Sequence, residues 1–208
     1  MRNTTPWLVL LLLSLTLAVS SPALADVVFF DDFNSEHGGV AQLNYGSFAN
    51  WTVSNGTVDL IGNGAFDFLP GNGLYVDMDG STGNAGLMTS NFTLPAGTYN
   101  LEYDVAGSQR GETNSVIVEF GSFTHTTTLP SATGFTHEAW VVTVGPASAS
   151  VSFEGVGGDN LGLLLDNVRI SSDTAPPPPP SVPEPATLFL LGTGLVGLGG
   201  FVWRHRRG

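Results

Sequence analysis

The segment Thr98-Tyr99-Asn100-Leu101-Glu102-Tyr103-Asp104-Val105 alternates strictly between apolar and polar side chains from Tyr99 onward. Successive side chains of a β-strand point to opposite faces of its sheet, so the four apolar residues line one face and the three polar residues line the other. The segment therefore predicts a strand that turns one face to a hydrophobic core and the other to water.

The sequence on either side of this strand predicts an all-β domain. Short β-rich runs alternate with clusters of Gly, Asn, Pro and Ser between residues 27 and 170, and no run has helical periodicity. Residues 51–61 form one such run with a tight turn at Asn55-Gly56, and residues 115–120 and 123–129 form a hairpin. About nine strands in all favour an antiparallel two-sheet sandwich, with a jelly-roll order preferred to an immunoglobulin-like one.

The charge of the domain excludes one class of partner. Residues 26–175 contain 17 Asp and Glu residues against two Arg and no Lys, a net charge of −15. Such a field repels nucleic acid and other polyanions and favours cations. The chain also has no cysteine, so disulfides contribute nothing to its stability.

The two ends of the chain predict export and a membrane anchor. Arg2, an apolar run at residues 7–19 and the cleavage site Ala23-Leu24-Ala25 indicate a signal peptide at residues 1–25, followed by an ectodomain at 26–173. A proline-rich linker at 174–181 leads to an uncharged apolar run at 186–203, whose 18 residues would span about 27 Å as a transmembrane helix. The membrane stop after it consists of Arg204, Arg206 and Arg207.

Three consecutive features make up the C-terminal segment 182–208: the box Val182-Pro183-Glu184-Pro185, the apolar run and the arginine cluster. This order resembles the PEP-CTERM sorting signal of exported proteins in Gram-negative bacteria. The resemblance implies that Pro183, Glu184 and Pro185 are recognised by exosortase, a membrane protease-transpeptidase. It also implies delivery to the cell envelope or extracellular matrix, with the C-terminus cytoplasmic and the chain tethered to the inner membrane before processing. The alternative is an ordinary tail anchor with an incidental tripeptide.

The ectodomain has a second, looser resemblance. Residues 73–80, 96–99, 158–160 and 163–168 are similar to segments of jelly-roll ectodomains in PEP-CTERM proteins and of galactose-binding-like carbohydrate-binding modules. The resemblance implies a structural calcium ion held by Asp31 or Asp32 together with Asp166, in keeping with the preference of Ca²⁺ for oxygen ligands. The alternative is a solvated acidic loop and an aspartate that caps the last strand.

Two tryptophans of the ectodomain, Trp51 and Trp140, are candidate sugar-stacking residues, although each also lies in a β-rich run where burial in the core is the default. No nucleophile motif and no zinc-type histidine spacing is present, so the chain is predicted not to be an enzyme. Two hypotheses remain for the ectodomain: association with extracellular polysaccharide, or a structural matrix component without a specific ligand.

Overall fold

The computed structural model describes residues 25–172, which form two antiparallel β-sheets packed face to face. This arrangement confirms the predicted all-β jelly-roll sandwich. The six-stranded sheet contains β1 (Asp26–Asp31), β3 (Asp59–Gly62), β4 (Leu74–Asp77), β6 (Gly97–Ala106), β9 (Thr136–Val144) and β11 (Leu164–Ser172). The five-stranded sheet contains β2 (Trp51–Ser54), β5 (Leu87–Ser90), β7 (Asn114–Phe120), β8 (Phe123–Leu129) and β10 (Val151–Val156).

The order of the strands determines which of them lie at the sides of the sandwich. The six-stranded sheet runs β3-β4-β11-β6-β9, with β1 also paired to β11, and the five-stranded sheet runs β2-β5-β10-β7-β8. Strands β2 and β3 therefore lie at one side, and β8 and β9 lie at the other. A short 3-10 turn at Glu36–Gly39 is the one helical element of the described residues.

Strand β6 has the alternation that its sequence predicts. Tyr99, Leu101, Tyr103 and Val105 are buried in the main core, whereas Asn100, Glu102 and Asp104 are only half-buried on the outer face. Burial of apolar surface contributes about 25 cal/mol per Å². The strand therefore stabilises the contact between the sheets chiefly through its inner face.

The structure corrects the prediction for residues 51–61, which form two strands in different sheets. Trp51–Ser54 pairs with β5 of the five-stranded sheet, and Asp59–Gly62 pairs with β4 of the six-stranded sheet. Asn55 has a φ of 63°, and a Cβ on Gly56 would collide with the backbone of Ala85. The predicted turn thus carries the chain from one sheet to the other, and the described residues contain eleven strands rather than about nine.

A second, smaller apolar cluster lies on the outer face of the six-stranded sheet, where the sequence predicts a solvated surface. Ile61, Tyr75, Ala106 and Leu164 are buried there. The loop at residues 63–73 covers them, and its residues Phe68 and Leu69 pack against the cluster. The Tyr75 hydroxyl holds this loop in place by accepting hydrogen bonds from the backbone N–H groups of Phe68 and Leu69, at 2.7 and 3.0 Å.

Several predicted segments lie outside the residues that the structure describes. These are the signal peptide apart from its last residue, the linker, the sorting box and the predicted transmembrane helix at 186–203. Between residues 25 and 172, the structure contains no helix whose length and apolar character would allow it to cross a membrane.

Candidate functional site

The side of the sandwich between β8 and β9 presents a cluster of aromatic rings, here called the aromatic edge. Phe123 and His125 of β8 lie against Trp140 of β9, with ring centroids 5.6 and 4.1 Å from that of Trp140. All three side chains are half-buried. They fill the gap between two strands that each end a sheet, so one part of each ring is packed and the rest is accessible to solvent.

One polar side chain lies on the same face as the aromatic edge. Glu138 is half-buried on β9, two residues before Trp140, whereas Thr124, Thr126 and Thr128 are exposed on the opposite face of β8. Accessible rings beside a carboxylate group can contact both the apolar face and the hydroxyls of a sugar. Sequence reasoning selected Trp140 but missed Phe123 and His125, although both alternate on one face of the predicted hairpin strand.

Trp51 is a core residue and presents no free ring face. Only 1% of its surface is exposed, and its ring packs edge-on against Phe29 and Phe153 at 5.7 Å. Its indole Nε1 donates a hydrogen bond of 2.9 Å to Oδ2 of Asp31. Stacking on a sugar needs an accessible ring face, so Trp51 does not have the geometry expected of a ligand-binding residue.

The β2–β3 side of the sandwich, where Trp51 lies, is closed by the chain segment between β1 and β2. Phe33, Tyr45 and Phe48 of this segment are buried in the main core. The backbone N–H groups of Gln42 and Tyr45 donate hydrogen bonds to the carbonyl oxygens of Leu60 and Val58, at 2.8 and 2.9 Å. The β2–β3 side is therefore covered by backbone, whereas the β8–β9 side is closed by side chains.

The predicted calcium ligands lie at neighbouring strands but differ in their surroundings: Asp31 ends β1, Asp32 follows it, and Asp166 lies on β11, which pairs with β1. Asp31 is buried, and both of its carboxylate oxygens accept protein hydrogen bonds: Oδ1 from the N–H of Phe33 at 2.9 Å, and Oδ2 from Trp51 and Asn50. Asp32 is half-buried, and its Oδ1 accepts a bond of 3.1 Å from the N–H of Asn34. Asp32 thus has more free acceptor capacity than Asp31.

Asp166 lies on β11 opposite Asp104 of β6, with 2% of its surface exposed. Burial raises the pKa of Asp166 to about 7, and the charges of Asp104, Asp32 and Asp31 act in the same direction. The three predicted ligands are therefore close enough to interact electrostatically. No group of three or more His, Asp or Glu side chains within residues 25–172 is arranged to hold a metal ion. Calcium binding by Asp31 or Asp32 together with Asp166 stays a prediction.

Adding calcium is expected to stabilise the protein if Asp32 and Asp166 bind it, because the ion would offset their mutual repulsion. At a free Ca²⁺ concentration about 100 times the Kd, the stabilisation would be about 2.7 kcal/mol, or a rise in Tm of about 5 °C or more. Thermal unfolding with Ca²⁺, with Mg²⁺ and with a chelator measures the effect, and Asp32→Asn should abolish it. A Tm that does not respond to Ca²⁺ would contradict the prediction.

The guanidinium of Arg110 contacts other residues of the protein, at the end of the six-stranded sheet where β4 finishes. It forms an ion pair with Asp77, donates a hydrogen bond of 2.7 Å to the carbonyl oxygen of Asn160 and lies 5.0 Å from the ring centroid of Phe68. Burial raises the pKa of Asp77 to about 7 although Arg110 acts in the opposite direction. These contacts give Arg110 a structural role in joining three loops.

A separate open groove of about 580 Å³ lies at the end of the sandwich where β7 turns into β8. Its walls are Glu119, the turn Gly121-Ser122 and the loop and strand residues 145–150 and 152. Apart from Glu119 and Pro146 these residues are small or hydroxyl-bearing, and none of the lining residues has an aromatic ring. The groove therefore offers hydrogen-bonding groups without a surface on which a sugar ring can stack.

The C-terminal segment matches a known family model. Residues 181–207 match the PEP-CTERM protein-sorting motif. The chain carries a PEP-CTERM sorting motif. The match confirms the resemblance seen in the sequence, and the PEP-CTERM motif indicates an exported protein. Pro183, Glu184, Pro185 and the three terminal arginines lie outside the residues that the structure describes.

The sandwich is similar to carbohydrate-binding modules among solved structures. It resembles the CBM22-1 xylan-binding domain of Paenibacillus barcinonensis Xyn10C at 13% identity, over 75% of this chain and 100% of that one, with a TM-score of 0.49. It also resembles the CBM22-1–GH10 modules of Clostridium thermocellum xylanase 10B at 14% identity, over 74% of this chain, with a TM-score of 0.46. The matched region spans 30% of that xylanase chain.

A CBM35 of Paenibacillus barcinonensis is similar at 14% identity, over 65% of this chain and 100% of that one, with a TM-score of 0.40. At such identities and scores the likeness concerns the sandwich architecture, and no ligand is transferred to this chain. No curated protein sequence matches the chain. The absence of enzymatic activity stays a prediction.

Proposed function

We propose that this protein is an exported component of the cell envelope or extracellular matrix, processed by an exosortase-type enzyme. Its sandwich associates with neutral polysaccharide through the aromatic edge formed by Phe123, His125 and Trp140. The tail delivers the domain to the outside of the cell, and the domain contacts the matrix there.

The observation that carries this proposal is the half-buried ring cluster on the β8–β9 side. Trp140 and Phe123 have centroids 5.6 Å apart, and Glu138 lies two residues before Trp140 on the same face of β9. Packed rings keep their orientation before a ligand arrives, so binding does not require a large loss of side-chain entropy. A sugar ring can use the apolar parts of Trp140 and Phe123 and hydrogen-bond to the neighbouring polar groups.

The net charge of the domain narrows the class of polysaccharide. With 17 acidic residues against two arginines in residues 26–175, the domain repels uronate-rich or sulfated polymers. Arg169 is paired with Glu102 at 3.6 Å and Arg110 is paired with Asp77, so both arginines are engaged in ion pairs. The proposal therefore specifies a neutral polysaccharide.

Replacing Trp140 with alanine is expected to weaken polysaccharide binding about three- to tenfold, because an aromatic contact of this kind contributes roughly 0.5–1.5 kcal/mol beyond the area it buries. A glycan array first identifies the neutral polymer, and affinity electrophoresis or calorimetry then measures the Kd of the wild-type and variant chains. His125→Ala should weaken binding by a smaller factor.

The matched control is Val141→Ala, which changes the neighbouring residue on the opposite face of β9, where Val141 is 68% exposed. This variant should bind as the wild type does. Equal affinity of the Trp140→Ala and wild-type chains would refute the aromatic edge as the binding site. Absence of binding to every neutral polymer would favour the structural matrix component instead.

Replacing Glu184 with alanine is expected to block processing of the tail, because the resemblance to exosortase substrates makes this carboxylate the central feature of the recognition box. Immunoblotting of membrane and extracellular fractions should show that the unprocessed chain accumulates in the membrane. Ser181→Ala, just outside the box, is the control. Normal processing of the Glu184→Ala chain would contradict the role of the box.

A further inference from the structure

Three buried polar atoms lie behind the aromatic edge without hydrogen-bond partners among the described residues. They are the hydroxyl of Tyr103 on β6, Oγ1 of Thr127 on β8 and the indole Nε1 of Trp140 on β9. Tyr103 is completely buried and Thr127 is nearly so. A buried polar group without a partner costs roughly 1–3 kcal/mol, and native proteins contain few of them.

The three atoms belong to one neighbourhood between the sheets. Tyr103 is opposite Glu138 in the β6–β9 pairing, and Trp140 follows Glu138 by two residues on the same face. The ring of Trp140 lies 4.1 Å from that of His125, which precedes Thr127 by two residues on the inner face of β8. Burial raises the pKa of Tyr103, and polar contacts of its hydroxyl with the side chains of Thr127 and Trp140 act in the opposite direction, so the three groups lie beside one another.

The packing of the rings holds these three polar groups outside direct hydrogen-bond geometry. Tyr103 packs edge-on against Phe153 at 5.3 Å, and Trp140 is held by His125 and by Phe123 at 5.6 Å. A rotation that gave Trp140 a direct hydrogen bond would break these contacts, and in a close-packed core such a change also displaces the neighbours.

The hydrogen-bonding capacity of the three groups matches one small molecule. The indole N–H is a donor only, whereas each hydroxyl is both a donor and an acceptor. A water molecule can accept from Trp140, accept from Tyr103 and donate to Thr127. Three hydrogen bonds of this kind are typical of buried water in proteins.

We propose that Tyr103, Thr127 and Trp140 together bind one buried water molecule behind the aromatic edge. This water holds the indole N–H towards the interior and fixes the orientation of the Trp140 ring. The water site is independent of any polysaccharide, whereas its role in positioning the ring for a sugar rests on the proposed function.

Water-selective NMR spectroscopy on the ¹⁵N-labelled full chain in detergent tests the site. The indole signal of Trp140 is assigned with the Trp140→Phe variant. We expect this proton to show a cross peak to a water molecule whose residence time exceeds that of surface hydration, and to exchange slowly with solvent. An indole proton without this cross peak in the wild-type chain would overturn the proposal.

Thr127→Val removes one hydroxyl with little change in shape and is expected to abolish the cross peak or shorten the residence time at least tenfold. Thr126→Val, at the exposed neighbouring position on β8, is the matched control and should leave the signal unchanged. Tyr103→Phe removes the second hydroxyl of the site and should have the same effect on the cross peak. Retention of the long-lived water in both variants would overturn the proposal.

The same variants separate this inference from the proposed function. If the water is present and Trp140→Ala does not affect polysaccharide binding, the site stands and the aromatic edge is not the binding surface. If Trp140→Ala weakens binding and no long-lived water is observed, the proposed function stands and the water site is refuted. With both correct, Thr127→Val should weaken binding about two- to fivefold while Thr126→Val does not.

Discussion

Replacing Asp31 with alanine is expected to lower the free energy of unfolding by about 3 to 5 kcal/mol. The Asp31 carboxylate accepts hydrogen bonds from the buried indole N–H of Trp51 and the backbone N–H of Phe33, and a third from Asn50. Alanine would leave these donors without an acceptor between β1 and the five-stranded sheet. Denaturant unfolding of the chain in detergent, with a chelator present, measures the loss.

Two variants test the cause of this loss. Asp32→Ala removes the same charge from the neighbouring half-buried residue. The Asp32 carboxylate accepts a local hydrogen bond from the N–H of Asn34, so this change should cost less than about 1 kcal/mol. In a chain that already carries Trp51→Phe, Asp31→Ala should cost less than it does in the wild type, since the indole donor is gone. Equal losses for Asp31→Ala and Asp32→Ala would show that the buried network is not responsible.

Raising the pH from about 4 to about 8 is expected to destabilise the protein through Asp166. The folded-state pKa of Asp166 is raised by burial to about 7, above the ordinary value of an unfolded aspartate. A group with a raised folded-state pKa binds its proton more tightly in the native state, so its contribution is fully present below about pH 4 and is lost as the pH rises through about 7. The expected loss is roughly 2 to 4 kcal/mol.

The variant Asp166→Asn tests this contribution, because the amide is neutral at every pH and its oxygen can still accept the bond from the N–H of Asn167. At pH 8 this variant should be more stable than the wild type in a chelator, and at pH 4 the two should differ little. Asp77, whose pKa burial also raises to about 7, contributes in the same direction in both chains. Parallel stability curves for the two proteins between pH 4 and 8 would contradict the prediction.

Local patterns in the sequence predicted where strands form better than they predicted the sheet to which each strand belongs. The alternation in β6 and the hairpin of β7 and β8 follow from a period of two residues, which depends on neighbouring residues alone. The run at residues 51–61 looked continuous because β-propensity does not encode the sheet to which a strand belongs. The second apolar cluster was missed for a similar reason, since it depends on a loop that folds over Tyr75 and Leu164.

The sequence also could not tell which of the two candidate tryptophans has an accessible ring. Trp51 and Trp140 have comparable local sequences, yet one is in the core and the other is on the aromatic edge. The difference comes from the segment at residues 33–48, which covers the β2–β3 side, whereas half-buried side chains alone close the β8–β9 side. Nothing in the ten residues around either tryptophan reports such coverage.

The sequence by itself determined the all-β class, the strongly acidic character and the sorting tail, because each depends on composition or on residues that are adjacent in the chain. The tertiary structure decided which tryptophan has an accessible ring, which aspartates are buried beside one another and which polar atoms meet behind Trp140. These features depend on contacts between strands that are far apart in sequence. The free energy of such contacts comes from burial, which exists only after the two sheets have packed together.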